Sequence, residues 1–298
     1  MEINYFSDHV LIKNLKEFIP KDIFTCGQAF RFYEEEDSSF TLVAHKKVIN
    51  VSRIDDSIYI KGTNEEEFKN IWFGYFDLKR DYSQVKKTLS IDPTMAKALS
   101  YGQGIRILNQ EKFETIISFI ISANNGISRI RKSIEKISNL YGDFIKEDDK
   151  RTSYSFPDSK ILKEVDPSEL REKTGVGFRD KRIVESSKMI YDKIINLEEI
   201  SNLPLEEQRN LLMSLPGVGP KVADCILLFS FERHESFPVD VWIKRVMEEL
   251  YVKKIIAKNK VGEIGRGVFG PYAGFANQYL FYYGRENKIG AKNDRGSG

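Results

Sequence analysis

A chain of 298 residues, 41% hydrophobic and 30% charged, has the composition of a globular protein and the length for one large domain or two. Its 46 Lys and Arg against 44 Asp and Glu leave a formal charge of +2, which excludes a chain held to its partners by net charge alone. With no apolar run of about 18 residues and no signal-peptide pattern at Met1-Glu2-Ile3-Asn4, a membrane span is not expected and a cytoplasmic or nucleoid-associated place is.

From Met1 to about Pro93 the hydrophobic period is mostly two. Ile58 and Ile60 point one way while Tyr59 and Lys61 point the other, and Ile49 and Val51 alternate with Asn50 and Ser52. The runs Glu34-Glu35-Glu36-Asp37 and Asp55-Asp56 read as hairpin turns. A helix over Glu65 to Phe76 is expected to pack on this sheet through Phe68, Ile71, Trp72 and Tyr75. Past Pro93 the period becomes 3.6, with helical patterns at Met95–Leu99, Lys112–Ser122, Ile127–Tyr141, Ser159–Val165, Lys181–Ile195, Leu205–Leu215, Lys221–Phe231, Val241–Tyr251 and Tyr272–Tyr283. The chain is therefore α+β: an antiparallel sheet domain with a helix over 1–93, then a larger helical domain over 94–298. The tail Gly290 to Gly298, rich in Gly, Lys, Asn and Ser, is expected to fray.

Between the Leu205 and Lys221 helices lies Leu215-Pro216-Gly217-Val218-Gly219-Pro220-Lys221-Val222-Ala223-Asp224-Cys225. Two glycines in a short turn, with proline opening the next helix, make a helix-hairpin-helix. Gly217, Val218 and Gly219 leave main-chain N–H groups open to an anionic oxygen such as a phosphate, at the positive end of the second helix. Lys221 stands in the first turn of that helix, where a cation is disfavoured and an amine is driven toward its neutral, nucleophilic form. Asp240 follows Phe237-Pro238-Val239 and reads as an N-cap. Taken alone, the lysine reads more readily as a solvated surface charge and the aspartate as a plain cap. From Lys244 to the end, eleven Lys and Arg face five Asp and Glu, an excess of six, which suits a polyanionic partner or a solvated surface.

The whole string, with Pro238-Val239-Asp240 at its spacing, resembles the helix-hairpin-helix, Gly/Pro-Asp superfamily of DNA glycosylases, and within it the 8-oxoguanine DNA glycosylases. The resemblance implies a TBP-like N-terminal sheet domain, a helical glycosylase domain, and action as a monomer on double-stranded DNA containing 8-oxoguanine. It implies Lys221 as nucleophile at the sugar C1′ and Asp240 as the carboxylate that balances oxocarbenium charge and handles the amine proton. A lysine nucleophile predicts abasic-site lyase activity beside base removal. No metal or organic cofactor is called for. Several relatives hold an iron–sulfur cluster on four cysteines; this chain has only Cys26 and Cys225, and His9, His45 and His234 lack metal-ligand spacing.

The remaining site residues come from matching segments. Cys26-Gly27-Gln28-Ala29-Phe30-Arg31 resembles the family segment whose glycine carbonyl meets N7–H of 8-oxoguanine, a proton that guanine lacks; by itself the glycine is equally a turn residue. Cys225, one helical turn past Lys221, is implied as one wall of the base pocket and Phe281 as the other, with a small buried residue as the alternative for Cys225. Asn277 stands where the family commonly has a glutamine on the Watson–Crick edge, and Trp242 where a histidine commonly lies beside the 5′ phosphate. On the undamaged strand, Asn124 is implied to fill the hole left by flipping and Phe178 to wedge the neighbouring step. Arg129 and Arg179 are implied to meet the orphaned cytosine, with surface charge as the alternative for either arginine. Two other readings stay open: a glycosylase of the superfamily for another oxidised or alkylated base, and a non-catalytic hairpin module that only grips DNA.

Overall fold

A computed structural model describes residues 1–290; the rest of the tail expected to fray lies outside the described residues. The N-terminal part is a six-stranded antiparallel sheet in the order β1 (Glu2–Tyr5), β2 (His9–Lys13), β6 (Ser57–Lys61), β5 (Lys47–Ile54), β4 (Phe40–Ala44) and β3 (Phe32–Glu34). The expected alternation holds: Ile49 and Val51 on β5 and Ile58 and Ile60 on β6 are buried together with Val10 and Ile12 of β2. Asp55-Asp56 sits between β5 and β6, the run Glu34 to Asp37 leaves the end of β3 for the turn before β4, and the β4–β5 turn places His45 and Lys46 at positive φ (51° and 56°), which matches the twist of a tight hairpin.

Phe68, Trp72 and Phe76 recur every fourth residue, and the chain widens to π winding over Phe68–Trp72, keeping all three rings on the sheet's buried face. The helical part then begins. Helices Lys112–Ser122 and Ile127–Tyr141 have the bounds their periodicity implies, and Leu205–Met213, Pro220–Ser230 and Ala273–Glu286 lie within a few residues of theirs. The helix that starts at Val241 remains α-helical only to Val246 and continues as a π turn from Met247 to Val252. One buried core joins the helical part, from Tyr82 to Tyr282, and takes in Cys26 from the N-terminal segment.

Three features lay below the reach of periodicity. A hairpin pairs Phe144–Glu147 with Thr152–Tyr154 in strands too short to show alternation. Helix Tyr82–Leu89 buries Tyr82, Val85 and Leu89 within only two turns. Helix Lys258–Phe269 carries glycines in place of apolar residues on its packing face. A Cβ at Gly265 would lie 2.5 Å from the Phe237 ring, so the glycine lets this helix lie against the segment that leads to Asp240.

Candidate active site

A cleft of about 310 Å³ opens where the N-terminal segment after Thr25 meets the helical core, and Lys221, Asp240, Cys225, Gly27, Asn277, Phe281 and Trp242 all line it. Residues separated by most of the chain thus share one wall-to-wall space.

Pro220 opens the helix after the hairpin and Gly219 precedes it, which sets Lys221 at the cleft's edge, half-buried. Its Nζ lies 5.2 Å from the centroid of the Phe119 ring. That ring stacks on Phe229 (5.6 Å, 18°) and meets the edge of Phe30 at 5.5 Å, so an aromatic cluster forms the floor under the amine. Asp240 is the N-cap of helix Val241–Val246, its Oδ1 accepting from the Ile243 N–H at 2.8 Å. Burial raises the Asp240 pKa above the ordinary carboxylate value, opposed by the Ile243 N–H and by the charge of Lys221. Burial also pushes the Cys225 thiol up to about 11, so it is a neutral wall rather than a competing nucleophile.

Opposite the lysine, Gly27 adopts φ +87°, and a Cβ there would come within 2.9 Å of Phe281 Cε1. The glycine is required twice over, by its backbone and by the ring it abuts. Asn277, 3% exposed, donates from Nδ2 to the Pro238 carbonyl at 2.9 Å, so its nitrogen is engaged in holding the segment that carries Asp240. Trp242 is half-buried under the Arg245 guanidinium, 5.1 Å from its ring.

The cleft opens into a broader groove of about 1170 Å³ that shares Lys221 and Asp240 and is edged by Arg129, Lys132 and Lys258. Asn124 stands exposed on this groove in the left-handed conformation, φ 52°. Arg129 is exposed as well. Phe178 is 56% exposed on the short 3-10 turn Gly177–Arg179. Arg179 is 5% exposed and donates to the carbonyls of Ala123, Asn124 and Val176. A buried guanidinium must place its donors, and here they brace the loop that bears Asn124. At the hairpin crest, Val218 is buried and its N–H meets the Leu215 carbonyl at 3.0 Å, while Gly217 has φ +90° and Gly219 has open space beside it.

Reading the sequence singled out neither Phe119 nor Gln278 nor Arg285. Gln278 adjoins Asn277 and lies within reach of a local reading, whereas Phe119 falls inside a largely apolar helix and carries no local mark. Arg285 donates to the Thr25 carbonyl at 2.8 Å, with its guanidinium 5.4 Å from the Phe281 ring centroid.

Comparison with known proteins accounts for nearly the whole chain. Residues 10–116 match the model of the 8-oxoguanine DNA glycosylase N-terminal domain, and residues 117–268 that of the HhH-GPD superfamily of base excision DNA repair proteins. The crystal structure of a Clostridium acetobutylicum 8-oxoguanine glycosylase/lyase, in complex with double-stranded DNA containing cytosine opposite 8-oxoguanine, is 44% identical with a TM-score of 0.94. It covers 97% of this chain and 99% of that one. A probable N-glycosylase/DNA lyase of Methanothermobacter thermautotrophicus is 32% identical over 75% of this chain and 77% of its own length. The N-glycosylase/DNA lyase of Saccharomyces cerevisiae is 36% identical over 63% of this chain and 53% of its own.

Proposed function

The chain belongs to the HhH-GPD superfamily of base excision DNA repair proteins and carries the N-terminal domain of the 8-oxoguanine DNA glycosylases; on that premise we propose that Lys221 and Asp240 are its catalytic pair. The activity is excision of 8-oxoguanine from duplex DNA, followed by cleavage of the strand at the abasic site. The observation that carries the assignment of residues is the amine and the carboxylate opening into one cleft, on an aromatic floor.

The Lys221 nitrogen donates its lone pair to C1′ of the flipped nucleotide as the bond from C1′ to the base breaks and its electron pair leaves with the base. Asp240 steadies the positive charge that develops on the sugar and accepts the proton released by the amine. Its burial, which favours the protonated carboxyl, helps the second of these tasks. The sugar ring then opens to an imine on Lys221. Loss of a C2′ proton expels the 3′ phosphate by breaking the C3′–O3′ bond, and hydrolysis of the imine frees the enzyme.

The base lies between Cys225 and Phe281, and the Gly27 carbonyl receives its N7–H. Guanine, whose N7 is a bare acceptor, would oppose that carbonyl with a lone pair. Asn277 offers its Oδ1 toward the Watson–Crick edge while its nitrogen holds Pro238. Across the helix, Asn124 fills the gap, Phe178 wedges the adjacent step, and Arg129 meets the orphaned cytosine from the frame that Arg179 braces, giving a preference for cytosine opposite the lesion. The hairpin Gly217–Gly219 and Trp242 hold phosphates of the lesion strand. Action as a monomer at the nucleoid belongs to this reading, since a duplex substrate is found there and the cleft needs no residue from a second copy.

Borohydride trapping tests the pair. Wild type cross-links to an 8-oxoguanine strand, whereas Lys221→Gln loses both the cross-link and excision, by at least about a thousandfold. Cross-linking by Lys221→Gln at wild-type level would remove Lys221 from the mechanism. Equal excision of oxidised pyrimidines would move the substrate assignment to another lesion, excision without a cross-link by wild type would replace the amine by water as nucleophile, and neither excision nor cross-link would leave only DNA binding.

A further inference from the structure

The segment Thr25-Cys26-Gly27-Gln28 enters the cleft with its main chain held from the outside. The Thr25 carbonyl accepts from Arg285 Nη2 at 2.8 Å, the Cys26 carbonyl from Gln278 Nε2 at 2.7 Å, and the Gln28 carbonyl from Gln110 Nε2 at 2.8 Å. Among the described residues, the Gly27 carbonyl between them has no such donor. The Gln28 side chain is fully buried and anchored in turn: its Nε2 donates to the carbonyls of Ile23 and Arg106, and its Oε1 accepts from the Leu108 N–H.

A glycine with φ +87° has no side chain to hold its peptide plane, so the carbonyl's direction must be set by its neighbours. The two flanking peptide planes are pinned by side-chain amides, which fix the Cα atoms from which the plane between them hangs and confine its carbonyl to rotation about the axis joining them. We propose that Gln278, with Gln110 on the other side, is the positioning residue that aims the Gly27 carbonyl and thereby determines how sharply 8-oxoguanine is told from guanine. The inference rests on the reading above in which that carbonyl meets N7–H.

The placement of Gln278 supports a dedicated role. It is 3% exposed, on helix Ala273–Glu286, immediately after Asn277, whose amide holds the Pro238 carbonyl two residues before Asp240. Consecutive amides on one helix thus tie down the segment carrying the carboxylate and the segment carrying the carbonyl. The first serves bond breaking, which any substrate needs. The second serves reading of the base, which an abasic site does not need.

That division supplies the test. Single-turnover excision is measured on duplexes with 8-oxoguanine or guanine opposite cytosine, beside borohydride trapping on a preformed abasic site, for wild type, Gln278→Met and Gln278→Glu. Gln278→Met keeps the length and removes the donor; Gln278→Glu also sets a carboxylate oxygen against the Cys26 carbonyl. The expected result is a loss of about tenfold in the ratio of 8-oxoguanine to guanine excision for Gln278→Met, more for Gln278→Glu, with abasic-site trapping within about twofold of wild type. If either variant fails to fold, Gln110→Met carries the same prediction from the other flank. Unchanged discrimination in a folded variant overturns the proposal, and so does a parallel fall in excision and abasic-site trapping, which would mark a merely structural role. A wild type that trapped at abasic sites but did not prefer 8-oxoguanine would overturn the underlying reading first, and would be recognised before any variant was compared.

Discussion

The cleft around Lys221 and the exposed loop at Asn124 border one continuous groove, and they are built in opposite ways. In the cleft, Cys225 and Asn277 are buried, Asn277 is bonded to the Pro238 carbonyl, and Gly27 is flanked by the pinned carbonyls of Cys26 and Gln28, so the walls are in place before a base arrives. On the other side Asn124, Arg129 and Phe178 are exposed, and only the underlying Arg179 is fixed. A preset wall costs nothing to organise when substrate binds, which favours discrimination and rate. Exposed groups that enter a duplex, as proposed for these three, meet the ordering and unstacking cost at that moment, and on that proposal their effect is on binding and on the choice of opposite base.

If that contrast is right, the cleft should tolerate the least. Gly27→Ala adds a Cβ 2.9 Å from Phe281 at a φ that alanine rarely adopts. Excision of 8-oxoguanine is expected to fall by about a hundredfold or more in single-turnover kinetics, with a smaller loss of trapping at an abasic site. Near-normal excision would mean that the wall is not preset. The brace beneath the loop comes next. Arg179→Met leaves the carbonyls of Ala123, Asn124 and Val176 without their donors. It should lower stability by about 2–3 kcal/mol in denaturant unfolding and blunt the preference for cytosine opposite the lesion.

A pH titration separates stability from chemistry at Asp240. Because its folded pKa is raised by burial above 3.8, its contribution to stability is full below the unfolded carboxylate value and is lost as pH rises through the folded one. Excision requires the carboxylate and should rise over that same interval. Activity and this part of stability should therefore run in opposite directions with pH, and Asp240→Asn, which retains a capping residue, should remove both slopes. The smallest effect is expected from the exposed side: Arg129→Ala should weaken duplex binding a few-fold and reduce the salt slope of binding by about one, with abasic-site trapping little changed. A loss as large as that of Gly27→Ala would erase the distinction between the two sides.

Much of the catalytic half was legible because its determinants are close together in the chain. The hairpin glycines, Pro220 and Lys221 specify a turn and a helix start within a few residues, and Asp240 caps the helix that it precedes. Alternation on β5 and β6 likewise needs only the strand's own residues. Legibility failed where a residue's role depends on distant partners. Gln278 and Cys26 are 252 residues apart, and nothing near either one announces the contact. Gly265 of helix Lys258–Phe269 weakens the helix's period because it is what admits the Phe237 ring.

By itself the sequence determined the order of sheet and helices, the hairpin, and the chemical identities of the amine and the carboxylate, since hydrophobic period, turn chemistry and capping act over one or two turns of chain. Tertiary structure alone decided that Arg179 braces a loop, that the Asn277 nitrogen is engaged by Pro238, and that the Gly27 carbonyl is the one left open in its segment. A hydrogen bond exists only within a few tenths of an ångström and a narrow angle. Packing of elements far apart in the chain sets those coordinates, and no single stretch encodes them alone.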